Sequence, residues 1–190
     1  MRILAISGSL RTGSHNTLLL RAAEELLPAS DSLELWEGLR EVPPYDQDDD
    51  VEPALPAVAA LRAAIDSADA VLIATPEYNS SIPGALKNAL DWASRPLATN
   101  VFRNKPVAVI GSSTGMFGAV WAQAELRKVL AAMGARVAEV EVAVGRTGEK
   151  FDAEGNLVDG EIREQLADAL ATLAAEVTPP AEESLRLVAA

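Results

Sequence analysis

The sequence predicts one doubly wound α/β domain: a parallel sheet of five strands in the order 2-1-3-4-5, with helices on both faces. Three observations carry this. Five short apolar runs, residues 3–6, 33–36, 70–74, 107–110 and 137–142, alternate with five longer segments of helical character. Strands separated by helices of that length pair in parallel through right-handed crossovers. The two central runs, VLIAT and VAVIG, show no polar alternation, as strands covered on both faces do not. Finally, a chain of 190 residues, 49% hydrophobic and 23% charged, builds one sizeable core and is short for two domains.

The elements follow in order. The strand at 3–6 runs into Ser7-Gly8-Ser9-Leu10-Arg11-Thr12-Gly13-Ser14-His15-Asn16-Thr17, and a helix covers 16–27. A helix start presents unpaired N–H groups and a positive dipole end. Ser9, Ser14, Asn16 and Thr17 add short polar groups and Arg11 a cation, so this loop suits a phosphate monoester. The same residues also suit simple helix capping and a glycine turn, and both readings stand on the residues alone. Neither a Walker loop nor a G-x-G-x-x-G fingerprint is present: no lysine occurs here, and Gly8 and Gly13 are five apart.

After the second strand, at 33–36, an acidic connection holds Asp48, Asp49 and Asp50 between Pro43, Pro44 and Pro53 and reads as a solvated loop. A helix over 56–68 leads to the strand at 70–74 and the segment Pro76-Glu77-Tyr78-Asn79-Ser80-Ser81-Ile82-Pro83-Gly84. Pro83 opens the helix over 83–93. In a sheet of this order, the crevice beyond the first and third strands is the topological switch point, where ligands bind. Glu77, Tyr78, Asn79 and Ile82 offer the mixture of polar and apolar surface that a flat heteroaromatic ring needs. Trp92 fits the core or a subunit contact. The fourth strand leads to Gly111-Ser112-Ser113-Thr114-Gly115-Met116-Phe117-Gly118, whose small residues allow close backbone approach. A helix at 119–133, the fifth strand, a turn over 151–159 and an amphipathic helix at 161–177 complete the domain, residues 1–177. Residues 178–190, with Pro179 and Pro180, form a tail.

Charge narrows the partners. The net charge of −12 disfavours nucleic acid and anionic membrane surfaces. Residues 1–23 carry three arginines and no carboxylate, and residues 70–124 carry four basic and two acidic side chains. The candidate loops therefore sit in the two positive stretches of an acidic chain, as an anionic ligand requires. Zero cysteines and a single histidine leave no thiol nucleophile, disulfide or histidine metal cluster. No signal peptide or membrane-length apolar run is read, so a cytoplasmic protein is expected.

Three pieces, GSLRTGSHN, PEYNSSIPGALKNALDW and GSSTGMFGAVWAQAELRKVL, are similar to those of the NADPH-dependent FMN reductases, a flavodoxin-like family that includes quinone, chromate and azo-dye reductases. The resemblance spans about residues 2–175 and implies tightly bound FMN. Ser9, Arg11, Ser14, His15, Asn16 and Thr17 fall where the family holds the FMN phosphate, with His15 acting through its backbone. Pro76, Glu77, Tyr78 and Asn79 fall at the isoalloxazine and ribityl groups, and Ser113 at a third flavin-contacting loop. It further implies NADPH or NADH as hydride donor, a quinone or similar small molecule as acceptor, no catalytic side chain, and a homodimer or homotetramer with the helix faces around Trp92 and Trp121 in contact. A flavodoxin-type electron carrier with protein partners is the alternative that the acidic surface allows.

Overall fold

The computed structural model describes residues 1–177; the tail at 178–190 lies outside the described residues. The strands are β1 (Arg2–Ser7), β2 (Ser32–Trp36), β3 (Ala70–Thr75), β4 (Pro106–Ser112), β5 (Arg136–Val137) and β6 (Ala143–Val144). The helices are α1 (His15–Glu25), α2 (Pro56–Ser67), α3 (Gly84–Ala93), α4 (Val120–Ala132) and α5 (Gly160–Val177). All pairings are parallel, in the order β2-β1-β3-β4-β5, with β6 also on β4. The expected fold and strand order are therefore those observed.

Side-chain alternation along the strands divides the interior into two cores. Leu4, Ile6, Val71, Ile73, Val107 and Val109 pack with Leu61 and Ile65 of α2, Leu86 and Leu90 of α3, and Leu126 and Leu130 of α4. Ile3, Ala5, Leu72, Ala108 and Ile110 pack with Leu19 and Leu20 of α1 and Leu166 and Leu173 of α5. Each fully buried Leu or Ile contributes about 1.5–3 kcal/mol. Both faces of β3 and β4 are covered, which explains the unbroken apolar runs. Trp92 belongs to the first core: it is buried, its indole N–H donates to the Pro43 carbonyl at 2.8 Å, and it meets the Tyr45 ring edge-on at 4.8 Å. A subunit contact through Trp92 is thereby removed.

The fifth strand departs from the continuous run expected over 137–142. β5 pairs with Pro106 and Val107, β6 pairs with Gly111 and Ser112, and the chain leaves the ladder between them. Two side chains of α4 fill the gap. Arg127 donates to the carbonyls of Val109 (3.3 Å) and Val140 (2.6 Å), and Gln123 donates to those of Gly118 (3.0 Å) and Val142 (3.2 Å).

Candidate functional site

The loop after β1 is built by short hydroxyl contacts. Ser7 Oγ accepts from Thr17 Oγ1 at 3.0 Å, and the Ser14 hydroxyl caps α1 by accepting from the Asn16 N–H at 3.2 Å. Gly13 takes φ +68°, a turn that glycine makes without steric cost. α1 has no acidic residue in its first turn, so its positive end is unneutralised from within the helix. His15 Nδ1 lies 3.1 Å from Thr147 Oγ1 and 3.5 Å from an Arg11 guanidinium nitrogen, with its ring centre 5.6 Å from that of Phe151. Burial first, and the Arg11 charge second, lower its pKa. Asn16 is buried and bonds both backbone groups of Ser112.

The loop after β3 turns tightly. Tyr78 and Ser81 exchange two backbone bonds of 3.0 and 3.1 Å around Asn79 and Ser80, whose φ values are 53° and 59°. This is the double positive-φ geometry of a type I′ turn. Glu77 points away from the turn: its Oε2 accepts from the N–H groups of both Trp121 and Ala122 at 3.1 Å. α4 begins after Ala119, which offers no capping side chain, so Glu77 supplies the cap from 44 residues away. The negative carboxylate also complements the helix dipole there.

The loop after β4 is held by the chain around β6. Ser113 N–H donates to Val144 O and Arg146 N–H to Gly115 O, each at 2.9 Å. A Cβ on Gly118 would stand 2.3 Å from the Ala143 carbonyl carbon, and one on Gly145 would stand 2.2 Å from Met116 O. Ser112 Oγ is buried and has no hydrogen-bond partner among the described residues.

These three loops enclose a cleft of about 160 Å³ beyond the carboxyl ends of β1, β3 and β4. It brings together nine of the eleven residues singled out in the sequence: Ser9, Arg11, Ser14, His15, Asn16, Pro76, Glu77, Tyr78 and Ser113. Thr17 instead lines a neighbouring cleft, and Asn79 sits at the exposed tip of its turn. Ser112 and Thr114 line the cleft too and were not singled out, although the Ser-Ser-Thr run was their signal. The Asn16 side chain is committed to Ser112 and its N–H to Ser14, so its share in the site is positional.

The donor set fits a flavin mononucleotide. Arg11, the Ser9 and Ser14 hydroxyls and the start of α1 suit a phosphate, and the orphaned Ser112 Oγ is a buried polar group that a polar ligand would satisfy. Glu77, the cleft's one carboxylate, is turned onto α4. A doubly wound sheet with such a cleft at its switch point defines a flavodoxin-like, nucleotide-binding protein. Sequence comparison narrows the class: the model for NADPH-dependent FMN reductase matches residues 1–149. The chain is 42% identical to an NAD(P)H-dependent FMN reductase of Pseudomonas aeruginosa, over 91% of this chain and 93% of that one. It is 38% identical to a quinone reductase of Escherichia coli K12, over 84% and 86% of the two chains. The flavoenzyme FerB of Paracoccus denitrificans, an NAD(P)H:(acceptor) oxidoreductase, superposes with a TM-score of 0.82 at 33% identity, covering 92% of this chain and 96% of that one. The chain belongs to the NADPH-dependent FMN reductase family, oxidoreductases that use FMN and NAD(P)H.

Proposed function

We propose that the protein passes reducing equivalents from NADPH or NADH, through FMN held in the cleft between the β1, β3 and β4 loops, to a quinone or similar small acceptor. The observation that carries this is the convergence of the three loops, with Arg11 and an orphaned Ser112 hydroxyl, on one 160 Å³ cleft. Bound FMN supplies the hydride chemistry. The protein's own part is placement. Arg11, Ser9, Ser14 and the first turn of α1 hold the phosphate, with Thr17 bracing Ser7 behind them. Pro76 and Tyr78 form a wall for the ring and ribityl chain, with Asn79 shaping the turn behind Tyr78 and Glu77 fixing that wall to α4. Ser113 completes the third side. Loop N–H groups left free by the fold would stabilise negative charge on bound FMN when it is reduced, because they are fixed before the reaction.

Acceptor class follows the relatives' names, which include a 2-hydroxy-1,4-benzoquinone reductase of a Burkholderia species at 40% identity. A homodimer or homotetramer is supported by Met116, Phe117 and Trp121, exposed together beside the cleft with the Phe117 and Trp121 rings 5.1 Å apart. No described helix is long and apolar enough to cross a membrane. A cysteine-free chain suits the reducing cytoplasm in which we place it. The test is direct: purified protein binds FMN with quenching of its fluorescence and oxidises NAD(P)H with benzoquinones. Protein that binds no FMN, or binds it and leaves nicotinamides untouched, overturns the proposal.

A further inference from the structure

A second cleft of about 290 Å³ lies beside the first, between the loop after β1 and the end of β2. The two share Ser9 and Arg11, and Trp36, Glu37, Leu39 and Arg40 form the far wall of the second. None of these four has a part in the flavin reading. Trp36 ends β2, and residues Gly38–Glu41 form a short 3-10 turn that carries Arg40. A Cβ at Gly38 would stand 2.7 Å from Trp36 Cζ2, so the missing side chain is what lets the indole pack on the turn. Arg40 donates to the Leu10 carbonyl at 2.7 Å, which ties the turn after β2 to the loop after β1. The cleft thus combines an aromatic ring, a carboxylate and two guanidinium groups, Arg40 on the far wall and Arg11 on the shared side.

That set has a specific use at this place in an α/β sheet. In dinucleotide-binding sheets the end of β2 holds the adenosine ribose: a carboxylate accepts a ribose hydroxyl, or an arginine takes a 2′-phosphate. Here Glu37 and Arg40 offer both, and Trp36 offers a face for a base. The volume lies at the lower end of small-molecule pockets, roughly 300–1,000 Å³, which suits one half of a dinucleotide. β2 is one strand spacing from β1 and two from β3, about 5 and 10 Å. The two clefts share only Ser9 and Arg11, so a nicotinamide nucleotide can seat its adenosine end beside bound FMN while Arg11 keeps the FMN phosphate.

We propose that this cleft takes the adenosine 2′-phosphate end of NADPH, with the adenine against Trp36, the 2′-phosphate on Arg40 and a ribose hydroxyl on Glu37. The proposal rests on the reading of the chain as a nicotinamide-using FMN enzyme. It is tested on the FMN-loaded protein by calorimetric titration with adenosine 2′,5′-bisphosphate and with 5′-AMP. The bisphosphate is expected to bind about tenfold more tightly than 5′-AMP, a charge-assisted contact's worth. Arg40→Ala abolishes that difference, Arg40→Lys keeps part of it, and Arg40→Ala lowers the ratio of kcat/KM for NADPH to that for NADH by about tenfold. FMN affinity is measured on the same preparations. Loss of all FMN binding in the wild type overturns the reading of the first cleft. Normal FMN binding with equal affinity for the two adenosine nucleotides, or wild-type discrimination in Arg40→Ala, overturns the assignment of the second.

Discussion

The carboxamide of Asn16 grips Ser112 from both sides, accepting from its N–H at 3.0 Å and donating to its carbonyl at 3.1 Å. The pair is 96 residues apart in sequence and buried, and it fastens the first turn of α1 to the end of β4. Two walls of the cleft are thereby held at one separation. In Asn16→Ala both Ser112 groups lose their partner in a buried place, at about 1–3 kcal/mol for each group. A loss of about 2–4 kcal/mol is expected, read as a lower midpoint in urea at unchanged m. Asn16→Asp is expected to cost more, since a carboxylate then faces the Ser112 carbonyl. A loss below about 1 kcal/mol in Asn16→Ala would show that the clamp is replaceable.

Glu77 links the second wall to the third. Its carboxylate replaces the cap that Ala119 cannot provide and neutralises the positive end of α4. Glu77→Ala therefore costs about 1–2 kcal/mol of stability, whereas Glu77→Gln, which keeps an acceptor and loses the charge, costs about 0.5–1 kcal/mol. Because the same residue holds the Pro76–Tyr78 wall in place, FMN affinity falls in the same order, about tenfold in the alanine variant. Fluorescence titration gives the affinities and thermal unfolding the stabilities. Equal FMN binding in wild type and Glu77→Ala would detach the wall from the cap.

How far the sequence could carry this is visible in those two residues. The loops at the switch point were legible because a strand running into Gly and short polar residues can only become a turn and a helix start. What each polar side chain does once there was not. Asn16 and Glu77 look like ligand groups in one dimension, and only the fold brings Ser112 and the bare start of α4 against them. The fifth strand failed for a related reason. Its apolar run over 137–142 reads as continuous, but Arg127 and Gln123 of α4 supply hydrogen bonds that a regular ladder would have made. The second cleft has no such mark in the sequence, because Trp36 at the end of β2 and Glu37 and Arg40 after it carry no cluster of hydroxyl side chains.

Arg127 itself is open to test. Burial lowers the pKa of its guanidinium, yet it donates to two backbone carbonyls and to Gln123 Oε1. Arg127→Met keeps much of the apolar stem and strands those carbonyls, so about 2–4 kcal/mol of stability is expected to be lost. Hydrogen exchange of the Gly111 and Ser113 amides, which bond to residues flanking the gap, is expected to quicken. Protection unchanged at both amides would mean that β6 stays docked without Arg127.

Ser112→Ala separates ligand binding from stability. The hydroxyl has no partner among the described residues, while the backbone of Ser112 carries the Asn16 clamp and is untouched by the substitution. Without FMN the variant is expected to be as stable as wild type or up to about 1 kcal/mol more so, since an unsatisfied buried oxygen is removed. With FMN its affinity is expected to fall about five- to tenfold, the worth of one hydrogen bond. Parallel urea and flavin titrations decide it. Unaltered FMN affinity would show that the ligand leaves this hydroxyl alone.

His15 reports on the phosphate. It is the chain's one histidine, so its ring gives a single resonance to follow. Burial and Arg11 lower its pKa in the folded, ligand-free protein below 6.5, the value of an unperturbed histidine. As pH falls through 6.5 the unfolded chain takes up this proton first, so the stability of the ligand-free protein declines from there down to the folded pKa and is level below it. His15→Gln removes that component of the pH profile. A phosphate held by Arg11 and the start of α1 reverses the balance, because a nearby anion favours the charged ring. The NMR midpoint of His15 is therefore expected below 6.5 in the ligand-free protein and higher once FMN is bound, while riboflavin, which has no phosphate, leaves it where it was. A midpoint that FMN and riboflavin move alike would place the phosphate away from Arg11 and His15, and with it the assignment of the loop after β1.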